Sequence, residues 1–387
     1  MKLKQRPDDF FVEELTDVAP GRHGPFAFYR LEKRGWTTPD AIAAIRRRWD
    51  LHADRVAYGG LKDRHAHTIQ YLSIHHGPQR GLHHHEVELF YLGQLSHPYG
   101  SRDIRANRFY LTLRDLSAEP ADRAGAQLDA VRRDGVPNYF DDQRFGSVGD
   151  RPEFVAKHMV SGDFEAALKL ALAGPYEFDP AEAKREKATL LEYWGRWPEC
   201  KERLPRGHAR SLVDYLVHHP THFRGAVERL RPDLQGMYLS AYQSYLWNAI
   251  LADVLTTTLP ADDLVSIDLR LRPLPMSRRL SDESRGRLHT LAIPLPAARS
   301  PFDPAAPWAD AATRVLAAEG LEWSQLKIKG VRKPFFTKGE RAAFVVPSGL
   351  TGEVTDDELN VGRSKLTLAF DLPRGCYATM VVKRVLA

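Results

Sequence analysis

Cysteine is scarce in this sequence. The chain of 387 residues holds two, Cys200 and Cys376, too few and too far apart in sequence for a disulfide framework or a Cys-rich zinc site. No run approaches the roughly 18 consecutive apolar residues of a membrane span. The opening residues, Met1-Lys2-Leu3-Lys4-Gln5-Arg6-Pro7-Asp8, go straight into polar sequence and lack the apolar core of a signal peptide. Repeats and low-complexity tracts are missing as well. The expectation is a soluble, cytoplasmic protein. Apolar residues make up 43% and charged residues 27%, an ordinary globular balance that argues against a disordered or fibrous chain. The length suggests two to three domains.

The common catalytic signatures are absent too. There is no G-x-G-x-x-G, no phosphate loop ending in Gly-Lys-Ser/Thr, no H-E-x-x-H and no G-x-S-x-G, so dinucleotide, nucleoside-triphosphate, zincin and α/β-hydrolase chemistries lose their usual support. His83, His84 and His85 with Glu86 have no second ligand cluster at a metal-binding spacing, and no metal is assigned.

Positive charge exceeds negative by only 5, but it is clustered. Arg46, Arg47 and Arg48 run together. Arg102, Arg105, Arg108 and Arg114 share a stretch, and Lys327, Lys329, Arg332, Lys333, Lys338 and Arg341 share another. Any one cluster reads equally well as solvated helix ends and loops. Three together lean towards a polyanion such as nucleic acid.

Periodicity divides the chain. The first 135 residues mix strand and helix. Asp9 to Glu14 and Thr68 to Ile74 read as strands, and Asn107 to Arg114 alternates with Phe109, Leu111 and Leu113 on one face and Arg108, Tyr110, Thr112 and Arg114 on the other. Thr38 with Pro39 reads as a helix start placing Ile42, Ile45 and Trp49 on one face, and a second helix runs from about Asp122 to the stop at Asp134-Gly135. From Asp150 to about Leu255 the pattern is helical, with helices at Asp163 to Leu172 and Met237 to Leu255. In the longer one, Leu239, Tyr242, Leu246, Ile250 and Val254 form a stripe. After a Pro-rich stretch, Lys365 to Asp371 and the β-branched run Thr379 to Leu386 read as strands. Strands at both ends around a helical middle suggest one domain interrupted by another.

One segment carries a chemical suggestion: Tyr58-Gly59-Gly60-Leu61-Lys62-Asp63-Arg64-His65-Ala66. The glycines allow a tight turn before Asp63. Lys62 and Arg64 flank the carboxylate, and nearby positive charge keeps it ionised and fit to act as a nucleophile. The plainer alternative is an aspartate ending a turn. Asparagine occurs four times, at Asn107, Asn138, Asn248 and Asn360, and three of these lie in polar-aromatic clusters. The one on the long helix, Ser240, Gln243, Ser244, Trp247 and Asn248, reads as helix-packing glue.

Taken together, six stretches resemble the TruD family of pseudouridine synthases: Lys4 to Glu14, Gly60 to Gln70, Asn107 to Arg114, Gly135 to Gly146, Ala241 to Asn248 and Leu372 to Arg384. The most specific are Gly60-Leu61-Lys62-Asp63-Arg64-His65-Ala66 and Pro137-Asn138-Tyr139-Phe140 through Gln143-Arg144-Phe145-Gly146. All occur in the family's order. The resemblance implies an α+β fold, a pseudouridine-synthase catalytic domain with a mixed or antiparallel sheet, formed by residues 1–135 and 342–387. A helix-rich TRUD domain, residues 136–341, interrupts it, with the active-site cleft between the two. The insertion looks closer to the archaeal and eukaryotic branch than to the shorter bacterial members.

The resemblance also implies the reaction, isomerisation of a specific uridine in tRNA, U13, to pseudouridine. Asp63 matches the family's nucleophile. Phe10, Asn107 and Tyr377 match positions that contact the uridine, the last being often Phe in the family, and Lys4 and Lys62 match supporting positions. Isomerisation changes no redox state and consumes no water or phosphate, so no cofactor is expected. The RNA substrate is the expected partner, with neither a membrane nor a protein partner called for. Attack at C1′, attack at C6 and assistance to elimination all remain open for Asp63. Two other readings are an RNA-binding protein without catalysis, which would not need a carboxylate at position 63, and a His-dependent ribonuclease.

Overall fold

The computed structural model describes residues 2–330 and 335–387, so Arg332 and Lys333 of the third basic cluster lie outside the described residues. The chain divides into two compact units, Met1–Val136 with Val345–Ala387, and Pro137–Phe344.

In the first unit, among the described residues, ten strands form one sheet. They are β1 (Lys2–Leu3), β2 (Phe10–Thr16), β3 (Phe26–Arg34), β4 (Val56–Tyr58), β5 (His67–His75), β6 (Leu82–His84), β7 (Val87–Leu95), β8 (Ile104–Leu116), β9 (Ser348–Asp356) and β10 (Ser364–Pro373). The order is β9-β10-β8-β2-β5-β3-β7-β6, with β1 on β8 and β4 on β5. Among the described strand pairs of this sheet, only β2 and β5 run parallel. The early strand expectation at Asp9 to Glu14 is met one residue later, and β3 had no counterpart in the periodicity reading.

The registers align side chains across strands. Phe109 stands opposite Val12 and Phe370, and Leu111 opposite Phe10 and Leu368. Leu31 stands opposite Gln70 and Leu89. Because successive side chains point to opposite faces, these residues share one face, and helices cover it. Helix α1 (Thr38–Trp49) puts Ala41 and Ile45 onto Ala27, Tyr29, Leu31, Leu72, Ile74, Val87 and Leu89. Each fully buried large apolar side chain contributes about 1.5–3 kcal/mol. Helix α2 (Ala118–Asp134) packs on β9 and β10. A Cβ at Gly352 would lie 2.6 Å from Leu128 Cδ1 and 2.9 Å from Leu368 Cδ2, so any side chain there would displace these leucines.

Three expectations need correction. Thr37, not Thr38, caps α1: its side chain accepts from the Asp40 N–H at 3.1 Å, while Thr38 is helical and buried. Residues 379–386 form not a strand but a helix, α3 (Ala378–Leu386). Met380, Val381, Arg384 and Val385 are buried there at helical spacing and α3 packs on α2, so tertiary packing overrides the β-preference of its valines. The strand partner of β10 at the sheet edge is β9. Third, Arg114 does not face solvent with its alternation partners. It is buried with Asp9 Oδ1 at 2.8 Å, Asp357 Oδ1 at 3.0 Å and Glu358 Oε1 at 2.9 Å. Burial would raise the Asp357 carboxyl, but the N–H groups of Asp115 and Leu359, the Asn360 amide and Arg114 together hold it well below the usual carboxylate range.

The second unit is built around the helix Pro232–Thr258, whose stripe residues Leu239, Tyr242, Leu246, Ile250 and Val254 are all buried. So are its polar residues Gln243, Ser244 and Asn248. Gln243 Nε2 donates to the carbonyls of Pro296 and Thr337, and Trp247 Nε1 to that of Ile293. Asn248 accepts from the Phe140 N–H and donates to its carbonyl, both at 2.8 Å. Arg341 donates to the Asn138 carbonyl at 2.7 Å with its guanidinium 4.2 Å from the Phe140 ring centre. The Asn138 and Asn248 clusters thus work as packing glue. No helix among the described residues is long and apolar enough to cross a membrane.

Because β10 lies between β8 and β9, a chain ending at Val345 loses both strands and α3, and leaves β8 with an open edge. The expected outcome is a molten or insoluble product, read as lost near-ultraviolet circular dichroism with retained far-ultraviolet signal. Cooperative unfolding of that chain would contradict it.

Candidate active site

The helix-covered sheet face is apolar except in one region. There Asn107 stands opposite Glu14 on the β8–β2 ladder, and Thr68 opposite both Val12 and Lys33. Gln70, on the same face of β5, stands opposite Leu31. Glu14, Lys33, Thr68 and Gln70 are fully buried. Buried polar groups of this kind need partners, and the loop between β4 and β5, which carries Lys62 and Asp63, supplies many of them.

Lys62 Nζ lies 2.9 Å from Glu14 Oε2 and donates to Asn107 Oδ1 at 2.8 Å. Glu14 Oε1 also accepts from the Tyr99 hydroxyl at 3.2 Å. Burial, with the Glu14 charge beside it, raises the Tyr99 hydroxyl far above its ordinary value, so it stays protonated and can only donate to the carboxylate. Lys62 has no acceptor atom, so the oxygen of Asn107 must face it. The amide is thereby oriented with Nδ2 as its remaining group.

Lys4 Nζ contacts Asp63 Oδ2 at 2.6 Å and sits 4.1 Å from the Phe10 ring centre. The Lys4 backbone is in the left-handed region, φ 63°, an unusual conformation for a non-glycine residue. The Asp63 side chain is 39% exposed, against 0% for Glu14. Of two carboxylates in this region, Asp63 is therefore the one an external substrate can reach. Phe10 is buried, edge-on to Phe109 at 6.4 Å, and its ring forms a wall for Lys4. Of the two glycines before Asp63, Gly59 is required for space, since a Cβ there would lie 2.5 Å from Ile104 Cδ1, while one at Gly60 would meet nothing within 4 Å.

Direct contacts thus join Asp63 to Lys4, Lys4 to Phe10, and Lys62 to Asn107. Tyr377 arrives by another route. Leu372 stands opposite Asn107 on the β10–β8 ladder, and the chain turns through Pro373–Cys376, with Gly375 at φ 83°, to place the half-buried Tyr377 at the start of α3. Sequence reasoning missed Glu14, Lys33, Thr38 and Gln70 as site-forming residues. The signal was available for two of them: Glu14 follows Phe10 and Val12, and Lys33 follows Ala27, Tyr29 and Leu31, each as a charge on the inward parity of a strand.

The basic clusters resolve differently. Arg105 pairs with Asp17, Arg108 with Asp371 and Arg114 with three carboxylates, so much of that cluster is internally matched. Arg46, Arg47 and Arg48 occupy the last turn of α1, where positive charge suits the helix dipole. Lys327, Lys329 and Lys338 are exposed. His84 lies 3.0 Å from Arg48 and His83 3.4 Å from Glu88. Among the described residues no group of three or more His, Cys, Asp or Glu is disposed to hold a metal ion.

Comparison with known proteins covers nearly all of this chain. The family model described as tRNA pseudouridine synthase D (TruD) matches residues 1–385. A Methanococcus maripaludis protein described as probable tRNA pseudouridine synthase D 1 is 30% identical, across 100% of this chain and 99% of its own. A Leptospira interrogans tRNA pseudouridine synthase D is 26% identical, across 99% and 95%. The crystal structure of a TruD protein from Methanosarcina mazei superposes with a TM-score of 0.76 at 28% identity, covering 99% of this chain and 93% of that one. These matches place the chain among the pseudouridine synthases, α+β isomerases that modify tRNA. It belongs to the tRNA pseudouridine synthase D (TruD) family.

The Glu14 side chain is fully buried and Lys62 is its charge partner. Lys62→Met should therefore destabilise the fold by about 3–5 kcal/mol, because one member of a buried pair is left uncompensated. Adding Glu14→Gln should recover part of that loss. Urea denaturation of the two variants checks both statements.

Proposed function

We propose that this chain isomerises uridine 13 of tRNA with Asp63 as its nucleophile and without a cofactor. The position within tRNA rests on the family resemblance. The catalytic assignment is carried by one observation, the 39% exposed Asp63 side chain held against Lys4 Nζ at 2.6 Å, next in sequence to Lys62, which donates to the Asn107 amide.

The reaction breaks the N1–C1′ bond, turns the base and forms C5–C1′, with the C5 proton lost and N1 gaining one. Attack on C1′, attack on C6 and assistance to elimination all use the carboxylate of Asp63. Asn107 Nδ2 can donate to a carbonyl of the uracil edge, holding the loosened base. Tyr377, at the end of the β10–α3 turn, offers a ring for stacking. A uridine must leave its stack to reach such a site, at a cost of a few kcal/mol. Most tRNA affinity then comes from phosphate contacts away from it, in keeping with the exposed lysines.

Asp63→Asn keeps the shape and removes the charge. It should abolish pseudouridine formation, mapped at single-nucleotide resolution on unmodified tRNA, while filter-binding affinity stays within a few-fold of wild type. Substantial turnover by the purified variant, or modification at another position, would overturn the corresponding part of the reading.

Asn107→Ala and Tyr377→Ala should each slow single-turnover conversion by far more than they weaken tRNA binding. Equal losses in rate and affinity, or a collapse of thermal stability, would assign both residues to packing.

A further inference from the structure

Lys33 is the unusual group in this region. Its side chain is fully buried on the helix-covered face of β3, and it donates to main-chain carbonyls. Nζ donates to Trp36 O at 2.7 Å, to Asp63 O at 2.9 Å and, at the limit of hydrogen-bond reach, to Lys62 O at 3.5 Å. An ammonium has three donors and no acceptor, so these carbonyls match its full capacity. Burial lowers Lys33 to about 8, the Asp63 charge opposes that shift and Lys62 adds to it.

Two further buried side chains hold the same stretch of backbone. Thr38 Oγ1 accepts from the Lys62 N–H at 2.9 Å and donates to Gln70 Oε1 at 2.8 Å. Gln70 Nε2 in turn donates to Gly60 O at 3.3 Å. Main-chain groups of Gly60, Lys62 and Asp63 are thereby bound by side chains from β3, α1 and β5. The residue on α1 that looked from sequence like a helix cap is part of this arrangement instead.

We infer that Lys33, Thr38 and Gln70 form a buried clamp on the main chain of residues 60–63 that positions Asp63 for attack. None of the three is a catalytic residue, since each acts through the loop backbone. The clamp rests on the reading of Asp63 as nucleophile, and it adds a requirement that this reading does not contain. An ionised carboxylate beside Lys4 is insufficient unless its backbone is fixed, because misplacement by about 1 Å can cost 100-fold in rate. The ammonium also sets positive charge against the loop backbone, bonded to its carbonyls and not to the carboxylate oxygens.

The test uses the full-length enzyme with unmodified tRNA and four variants. Lys33→Met removes the donors at similar length, Thr38→Val removes the hydroxyl at equal volume, Thr38→Ser restores it, and Asp63→Asn reports on the underlying reading. Single-turnover rate, tRNA dissociation constant and thermal unfolding are measured on each. Lys33→Met should lower the single-turnover rate at least 100-fold and Thr38→Val about 10-fold, with affinity within threefold of wild type. Thr38→Ser should recover most of the loss seen in Thr38→Val.

Wild-type rates in a folded Lys33→Met or Thr38→Val, with Asp63→Asn inactive, would overturn the clamp and leave the nucleophile standing. An active Asp63→Asn would overturn the reading beneath it. If Lys33→Met fails to fold, Thr38→Val decides, and a loss there that Thr38→Ser does not recover would also count against the clamp.

Discussion

The organisation of the first unit depends on keeping charge under a helix-covered sheet. Glu14, Lys33 and Lys62 lie where the rest of the face carries leucine, isoleucine and phenylalanine, and an unmatched charge there would cost several kcal/mol. The solution is to answer each charge from the loop between β4 and β5. Glu14 meets the Lys62 side chain, and Lys33 meets the Lys62 and Asp63 backbone. The loop cannot leave without stranding both. Its conformation is consequently set by the core, while the Asp63 side chain remains at the surface.

That division lets one short segment be anchored at its backbone and still present a side chain to solvent. Adjacent residues do opposite tasks: Lys62 is directed inward to an acid and an amide, Asp63 outward to Lys4. Even the pairing of carboxylates follows. Glu14, enclosed by Tyr99 and Lys62, is shut away from solvent, whereas the Asp63 side chain is more than a third exposed.

Much of this was legible in the sequence, for identifiable reasons. Strands with clean alternation, such as β8 and β10, announce themselves because burial and parity agree. The Gly-x-Lys-Asp-Arg-His-Ala stretch is specific enough to carry family, fold class and activity together. The misreadings lie where local preference and tertiary environment conflict. Val381, Val382 and Val385 favour strand, yet packing against α2 makes them helical. Arg114 has the parity of an exposed residue, yet Asp9 and Asp357, distant in sequence, bury it. Thr38 stands beside the true cap, and its hydroxyl goes to a loop whose proximity no local pattern shows. Lys33 was missed because β3 itself was missed, and a lysine reads as exposed until the strand's parity is known.

The position of β10 bears on how the protein is made. Asn107 on β8 has Leu372 as its ladder neighbour, and the 208 residues of the second unit, Pro137–Phe344, are synthesised between the two strands. At about 5–20 residues per second, β8 waits roughly 10–50 s on the ribosome with that edge unpaired. During this interval the second unit can fold first, so the nascent chain holds a finished insertion inside an unfinished sheet. Asp63 and Lys4 are then already synthesised, but the end of the sheet that bears Asn107 lacks its last neighbours. That end of the sheet is therefore closed only after the whole second unit has left the peptidyl-transferase centre, which makes β10 a late strand completing an early one.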